Sequence, residues 1–228
     1  RYNSGMTAVF VVRHPETTWN VAQRYQGRLE SPLSERGRLQ ARMVSQVFEG
    51  QKLDVVYSSP LKRALDLGSE LARVTNAPLR TDQRLTEIGQ CPWEGLHLAE
   101  IRQRYPELYE AWYHHPDEVQ FPDGEGLQAV HRRAVSAMND IQQRHPEGSV
   151  GVVTHSVVIQ VLVAAALSLD LRHLHNIRVS NAGITTFCGT ELSGGLLELN
   201  SGYALSQSPV ATAAAQNCAT WKRRRVTQ

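Results

Sequence analysis

Two apolar runs, each ending at a histidine, constrain the fold of this chain more than any other feature. Val9-Phe10-Val11-Val12 leads into Arg13-His14, and Val150 to Val153 leads into Thr154-His155. A short run of branched apolar residues without polar alternation is what a strand buried on both faces requires. In open α/β sheets such strands bring the chemistry to their carboxyl ends. Two histidines and a fixed cation delivered there point to a site for a phosphoryl group.

The rest of the chain alternates strand and helix. Ser34 can cap a helix opening at Glu35, with Leu39, Met43 and Val47 at helical spacing. Leu53 to Tyr57 is a second buried strand. Ser59 as a cap and Pro60 in the first turn then start a helix whose apolar face is Leu61, Ala64, Leu65, Leu71 and Ala72. Leu79 to Thr81 is a short strand. His97 to Arg104, Tyr109 to Tyr113 and Glu125 to Arg144 read as helices, as does Val157 to Leu169 after the second histidine. Ile184 to Cys188 and Leu196 to Leu199 form a closing hairpin. Such alternation implies βαβ crossovers, hence a three-layer α/β/α fold with a mostly parallel central sheet.

Residues 85–125 interrupt the pattern. They are rich in Trp, Tyr, His and Pro and read as an insertion covering the sheet's carboxyl edge. Residues 1–5 are polar and read as a cloning remnant, with Met6 the expected native start. Residues 6–205 are expected to form a single α/β domain. Residues 206–228 form an Ala/Ser-rich C-terminal tail ending in a basic cluster.

A net charge of +2 provides no strong field for nucleic acid or membrane, so neither is an expected partner. Val157 to Leu169 is too short to cross a bilayer and is interrupted by Gln160. The three cysteines have no zinc or redox spacing, and a reduced, cytoplasmic setting is the expectation. A homodimer through an edge strand or exposed helix is the oligomer such a fold allows.

The chemistry can be read residue by residue. A dianionic phosphoryl group needs several donors aimed at one point. Arg13 and Arg63 supply fixed cations, and Asn20 can donate an amide. His14 is placed to attack phosphorus through a neutral ring nitrogen while the other is held by an acceptor. His155 can donate to the equatorial oxygens as charge develops. Uncatalysed monoester hydrolysis is so slow that on the order of 20 kcal/mol must be supplied, which calls for a cluster of such groups. Glu87 is the candidate general acid, its protonated form favoured by the charge of a bound phosphate.

These residues belong to a longer pattern. Val12-Arg13-His14-Pro15-Glu16-Thr17-Thr18-Trp19-Asn20 resembles the R-H-G-E-T-x-W-N signature of the histidine phosphatase superfamily, also called phosphoglycerate mutase-like proteins. The resemblance continues through Gln26-Gly27, Pro32 to Gly37, Tyr57 to Ala64 and Leu85 to Ile88. It extends to Trp93 to Leu96, Pro122-Asp123-Gly124-Glu125 and Val153-Thr154-His155. Ordered matches over roughly residues 9 to 190 make it specific where any one motif would be weak. It implies a phosphoglycerate mutase-like fold and a small phosphate ester as substrate. It further implies a covalent phosphohistidine on His14, a phosphate cradle of Arg13, Asn20, Arg63 and His155, and Glu87 as acid and then base. Gln26 and Gly27 can touch phosphate or substrate. No metal or other cofactor is implied.

Two departures stand out. Pro15 replaces the family's glycine, removing an N–H and biasing His14 toward extended backbone. Ser156 replaces the glycine after the second histidine and keeps its N–H for an anion at the helix start. Trp19 and Trp93 read as packing residues, Glu16 and Glu94 as structural acceptors, and His114, His115, His173 and His175 as surface histidines. The main expectation is a metal-independent phosphomonoesterase. A phosphoglycerate mutase is the first rival, though residues 88–125 lack an adjacent arginine pair to grip a carboxylate. A non-catalytic phosphate-ligand binding protein is the second, supported by Pro15 alone.

Overall fold

The apolar run at the start of the chain forms the strand β1, Thr7–Arg13, in a computed structural model that describes residues 6–192 and 195–201. The expected remnant at 1–5 and the tail at 206–228 lie outside the described residues. The other strands are β2 (Val55–Ser58), β3 (Leu79–Thr81), β4 (Ser149–Thr154), β5 (Ile184–Gly189) and β6 (Leu196–Ser201). They form one sheet in the order β3-β2-β4-β1-β5-β6. The β3–β2, β2–β4 and β4–β1 pairings are parallel, and the closing β5–β6 hairpin adds to β1 antiparallel. The sheet is mostly parallel, as the alternation predicts.

Side chains alternate across β1. Val9 and Val11 face one core with Val150 and Val152, while Ala8, Phe10 and Val12 face the other with Val56 and Val153. Helices α2 (Glu35–Phe48) and α3 (Lys62–Thr75) close the second core. The first core is closed by α6 (Leu127–Arg144) and α7 (Ser156–Ala166), with α4 (Leu98–Arg104) and α5 (Pro106–His114) beside them. A short α1 (Thr18–Val21) follows β1, capped by Thr17. The α/β/α layering follows from strands apolar on both sides. Within 85–125 there is no strand of the sheet. Trp93 is fully buried there against Tyr25, Tyr109, Trp112 and Phe121, which makes this segment an extension of the first core.

Three local expectations need correction. Ser34 caps α2 by accepting from Gly37 N, but Leu39 and Met43 are exposed and the buried stripe is Gly37, Val44 and Phe48. That stripe prevails because Phe48 reaches Phe10 edge-on and Gly37 lies against the Glu16 carbonyl, where a Cβ would come within 1.9 Å. Ser59 does not cap α3, which begins at Lys62 after Leu61. Glu30, from a distant loop, accepts from Lys62 N instead, while Ser59 Oγ accepts from Leu61 N at 3.2 Å and also reaches His155 in the site. Finally α7 stops at Ala166 and leaves Leu167 and Leu169 exposed, because Ser168 adopts a left-handed conformation at φ +54°. Among the described residues no helix is long and apolar enough to cross a membrane.

Candidate active site

The register of two parallel strands builds the centre. Arg13 pairs with Thr154, and His14 N continues the ladder to the Thr154 carbonyl at 2.9 Å. His14 and His155 therefore leave the sheet side by side, with ring centroids 5.3 Å apart. Both are buried. Ser59, one strand over, donates its N–H to Val153 O, and its Oγ lies 2.8 Å from His155 Nε2.

Pro15 orients the nucleophile. His14 Nδ1 lies 2.8 Å from the Pro15 carbonyl oxygen, which can only accept, so Nδ1 carries the proton and Nε2 the lone pair. The proline costs nothing in this respect, because the contact uses backbone that every residue has. Burial pushes the His14 imidazole well below its ordinary 6.5, and the Arg13 and Arg63 charges push it further. His155 is lowered well below the same value by burial and then by Arg63. Both rings are neutral at pH 7, as a nucleophile and a hydrogen-bonding neighbour require.

The two arginines are aimed by backbone carbonyls. Arg63, in the first turn of α3, donates to Leu29 O at 2.8 Å and Gly27 O at 2.6 Å, with Glu30 at 3.7 Å. Arg13 donates to Val179 O at 2.6 Å. Burial lowers the Arg13 guanidinium to about 10, partly opposed by Glu87, so it stays charged at neutral pH. The Nε of each arginine and Nδ1 of His155 are buried with no protein partner. Asn20 accepts at Oδ1 from Thr17 N, at 3.0 Å, and from Asn181 Nδ2, at 3.2 Å. Its amide hydrogens remain for a ligand. Gln26 is held the same way, its Oε1 accepting from Ser31 Oγ. Gly27 turns at φ +49°, and a Cβ there would meet Glu94 Oε1 at 2.0 Å.

Glu87 faces this group from the loop after β3. Its carboxylate accepts from Ile88 N at 3.0 Å and from Ser156 Oγ at 3.1 Å. Ser156 thus touches the candidate acid directly, a contact the family's usual glycine could not make. A cavity of about 430 Å3 is lined by Arg13, His14, Asn20, Gln26, Gly27, Arg63, Glu87 and Ser156, with His155 buried behind His14. Of the residues expected at the site, all but His155 line this cavity, and His155 packs its ring against that of His14.

Other residues escape a sequence reading. Asn181 donates to both His14 O and Asn20 Oδ1, tying the loop before β5 to the nucleophile. His175 is a wall residue, not a surface one: it stacks on Tyr113, bonds to Trp112 O at 2.7 Å and lines the cavity. Trp19 lines it too, whereas Trp93 packs as expected. Glu16 and Glu94 are structural acceptors, from Ser34 Oγ and from Arg28 N and Gln90 N. Among the described residues no cluster of three or more His, Cys, Asp or Glu could hold a metal ion.

A neutral buried imidazole with its free nitrogen beside two guanidiniums and a carboxyl defines a phosphoryl-transfer enzyme of α/β/α architecture. Residues 9–201 match the model of the histidine phosphatase superfamily (branch 1), and the chain belongs to that family. It is 35% identical over 195 residues to phosphoserine phosphatase 1 of Hydrogenobacter thermophilus, covering 86% of this chain and 92% of that one. It is 33% identical to a metal-independent phosphoserine phosphatase of Arabidopsis thaliana, over 71% of this chain and 69% of that one. The solved structure of Bacillus stearothermophilus YhfR superposes with a TM-score of 0.79 at 32% identity, covering 90% of this chain and 99% of that one. The enzyme is a phosphoric monoester hydrolase of the histidine phosphatase type.

Proposed function

We propose that the chain hydrolyses a small phosphorylated metabolite, with O-phosphoserine the first to test, through a phosphohistidine on His14. The observation that carries this is the Pro15 carbonyl holding Nδ1 of His14, which leaves Nε2 as a lone-pair donor beside Arg13 and Arg63. Nε2 attacks phosphorus, the N–P bond forms, and the ester O–P bond breaks as Glu87 gives its proton to the leaving oxygen. Water then attacks the phosphohistidine, Glu87 takes its proton, and inorganic phosphate leaves. Arg13, Asn20, Gln26, Gly27, Arg63 and His155 cradle the phosphoryl oxygens, and Ser156 steadies Glu87. The substrate choice rests on relatives named as phosphoserine phosphatases.

Hydrolysis is favoured over mutase chemistry because Arg102 is spent on the Tyr109 hydroxyl and Arg104 on Glu100, and neither lines the cavity. In this reading residues 6–205 act as one catalytic domain, with 85–125 shaping the pocket. A cytoplasmic setting without nucleic-acid or membrane partners belongs to the same reading, with a homodimer as the oligomer to test.

The test is release of inorganic phosphate from O-phosphoserine and 4-nitrophenyl phosphate in the presence of EDTA, by wild type and His14→Ala. Turnover by the wild type, its loss by at least about 1,000-fold in the variant, and acid-labile phosphate trapped on His14 are the expected results. Full activity of His14→Ala would overturn the proposal.

A further inference from the structure

The Pro122-Asp123-Gly124-Glu125 motif has no part in the chemistry described so far. Its glutamate grips Arg133 on α6 with both oxygens, each at 2.9 Å. The other donors of Arg133 all go to backbone carbonyls of the loop that ends in the candidate acid. Nη1 donates to Arg84 O at 2.7 Å and Thr86 O at 2.6 Å, and Nη2 to Glu87 O at 3.2 Å. Arg28 adds a contact to Glu87 O at 3.4 Å and pairs with Glu125 at 2.9 Å. Glu125 also accepts from Gly89 N, and its own N–H donates to Gly89 O at 2.8 Å. That close approach explains Gly124, where a Cβ would lie 2.3 Å from Gly89 O. The loop carrying Glu87 is thus held on both sides of residue 87 by one planar fork.

We propose that Arg133, locked by Glu125, is a positioning residue that fixes the Glu87 backbone so that its carboxyl meets the leaving oxygen. The inference rests on Glu87 being the general acid. Proton transfer is steeply sensitive to geometry, whereas binding of the phosphoryl group by Arg13 and Arg63 is not routed through this loop. A lysine at 133 keeps the charge but cannot serve three carbonyls and a carboxylate from one fork.

The experiment compares kcat/KM for an alkyl ester, O-phosphoserine, with that for 4-nitrophenyl phosphate, whose leaving group departs without protonation. In Glu87→Gln the alkyl ester should lose about 100-fold or more and the aryl ester far less. Arg133→Lys should show the same asymmetry at about 10-fold, and should cost nothing more on the alkyl ester when combined with Glu87→Gln. Glu125→Gln, which keeps the shape and weakens the lock, should give a smaller loss of the same kind. Equal losses on both esters in a folded Arg133→Lys or Glu125→Gln, or full additivity with Glu87→Gln, would overturn the positioning role and leave the acid intact. Absence of asymmetry in Glu87→Gln itself would overturn the acid assignment and the inference with it.

Discussion

Pro15 shows how a departure from a family pattern can be silent. The group that fixes His14 is the residue's carbonyl, at 2.8 Å from Nδ1, and a proline ring neither supplies nor blocks it. Pro15→Gly should therefore keep kcat/KM within about threefold while lowering stability by about 0.4–1 kcal/mol through the freer unfolded chain. Steady-state kinetics and a urea midpoint check both, and a tenfold loss of activity would show that the ring itself shapes the loop. Gly27 is the opposite case. Its φ of +49° and the 2.0 Å approach of Glu94 leave no room for a side chain. Gly27→Ala should cost about 1–3 kcal/mol and raise KM, because the carbonyl that aims Arg63 must move. His14, Arg13, Arg63, Glu87 and His155 were legible in the sequence because each lies at an element end in a recognisable order. Asn181 and Arg133 were not, since each acts through a partner far away in the chain and has no chemistry distinctive enough to flag it. His175 reads from the sequence as a surface histidine, because the Tyr113 ring it stacks on is remote in the chain.

Among the elements, α2 separates what periodicity can and cannot say. Ser34 and the helical spacing marked the helix correctly, yet two stripes compete on it. Leu39-Met43-Val47 is the more apolar to the eye, but Val44 and Phe48 are the ones buried. Only the position of β1, and Phe10 upon it, decides between them. Phe48→Ala should cost about 3–5 kcal/mol, whereas Leu39→Ala should fall within about 0.5 kcal/mol of wild type. Thermal or urea unfolding of the pair discriminates the two, and a large loss from Leu39→Ala would mean that its face is covered in solution. The strands were easier to place, since a run buried on both faces has no wrong face to choose. Their order in the sheet was legible only as far as parallel crossovers imply it; the antiparallel edge followed from the hairpin.

At the scale of the whole molecule, burying two neutral imidazoles links stability to pH. The unfolded chain protonates each near 6.5, while the folded protein holds both well below that value by burial and then by arginine charge. Below pH 6.5 the unfolded state thus binds more protons, so stability falls as pH drops through this window. Each of the two groups adds to that fall, by at most one proton apiece. Urea midpoints measured between pH 7.5 and about 5.5 should decline accordingly, and a flat profile would contradict the burial of neutral rings. The register of β1 against β4 has one more consequence. His14 is made well before the strand that brings His155 beside it, so a nascent chain holds its nucleophile long before it holds a pocket. Phosphate can therefore reward only the finished topology, and a ligand that binds there acts as a clasp on the whole chain, not on either half.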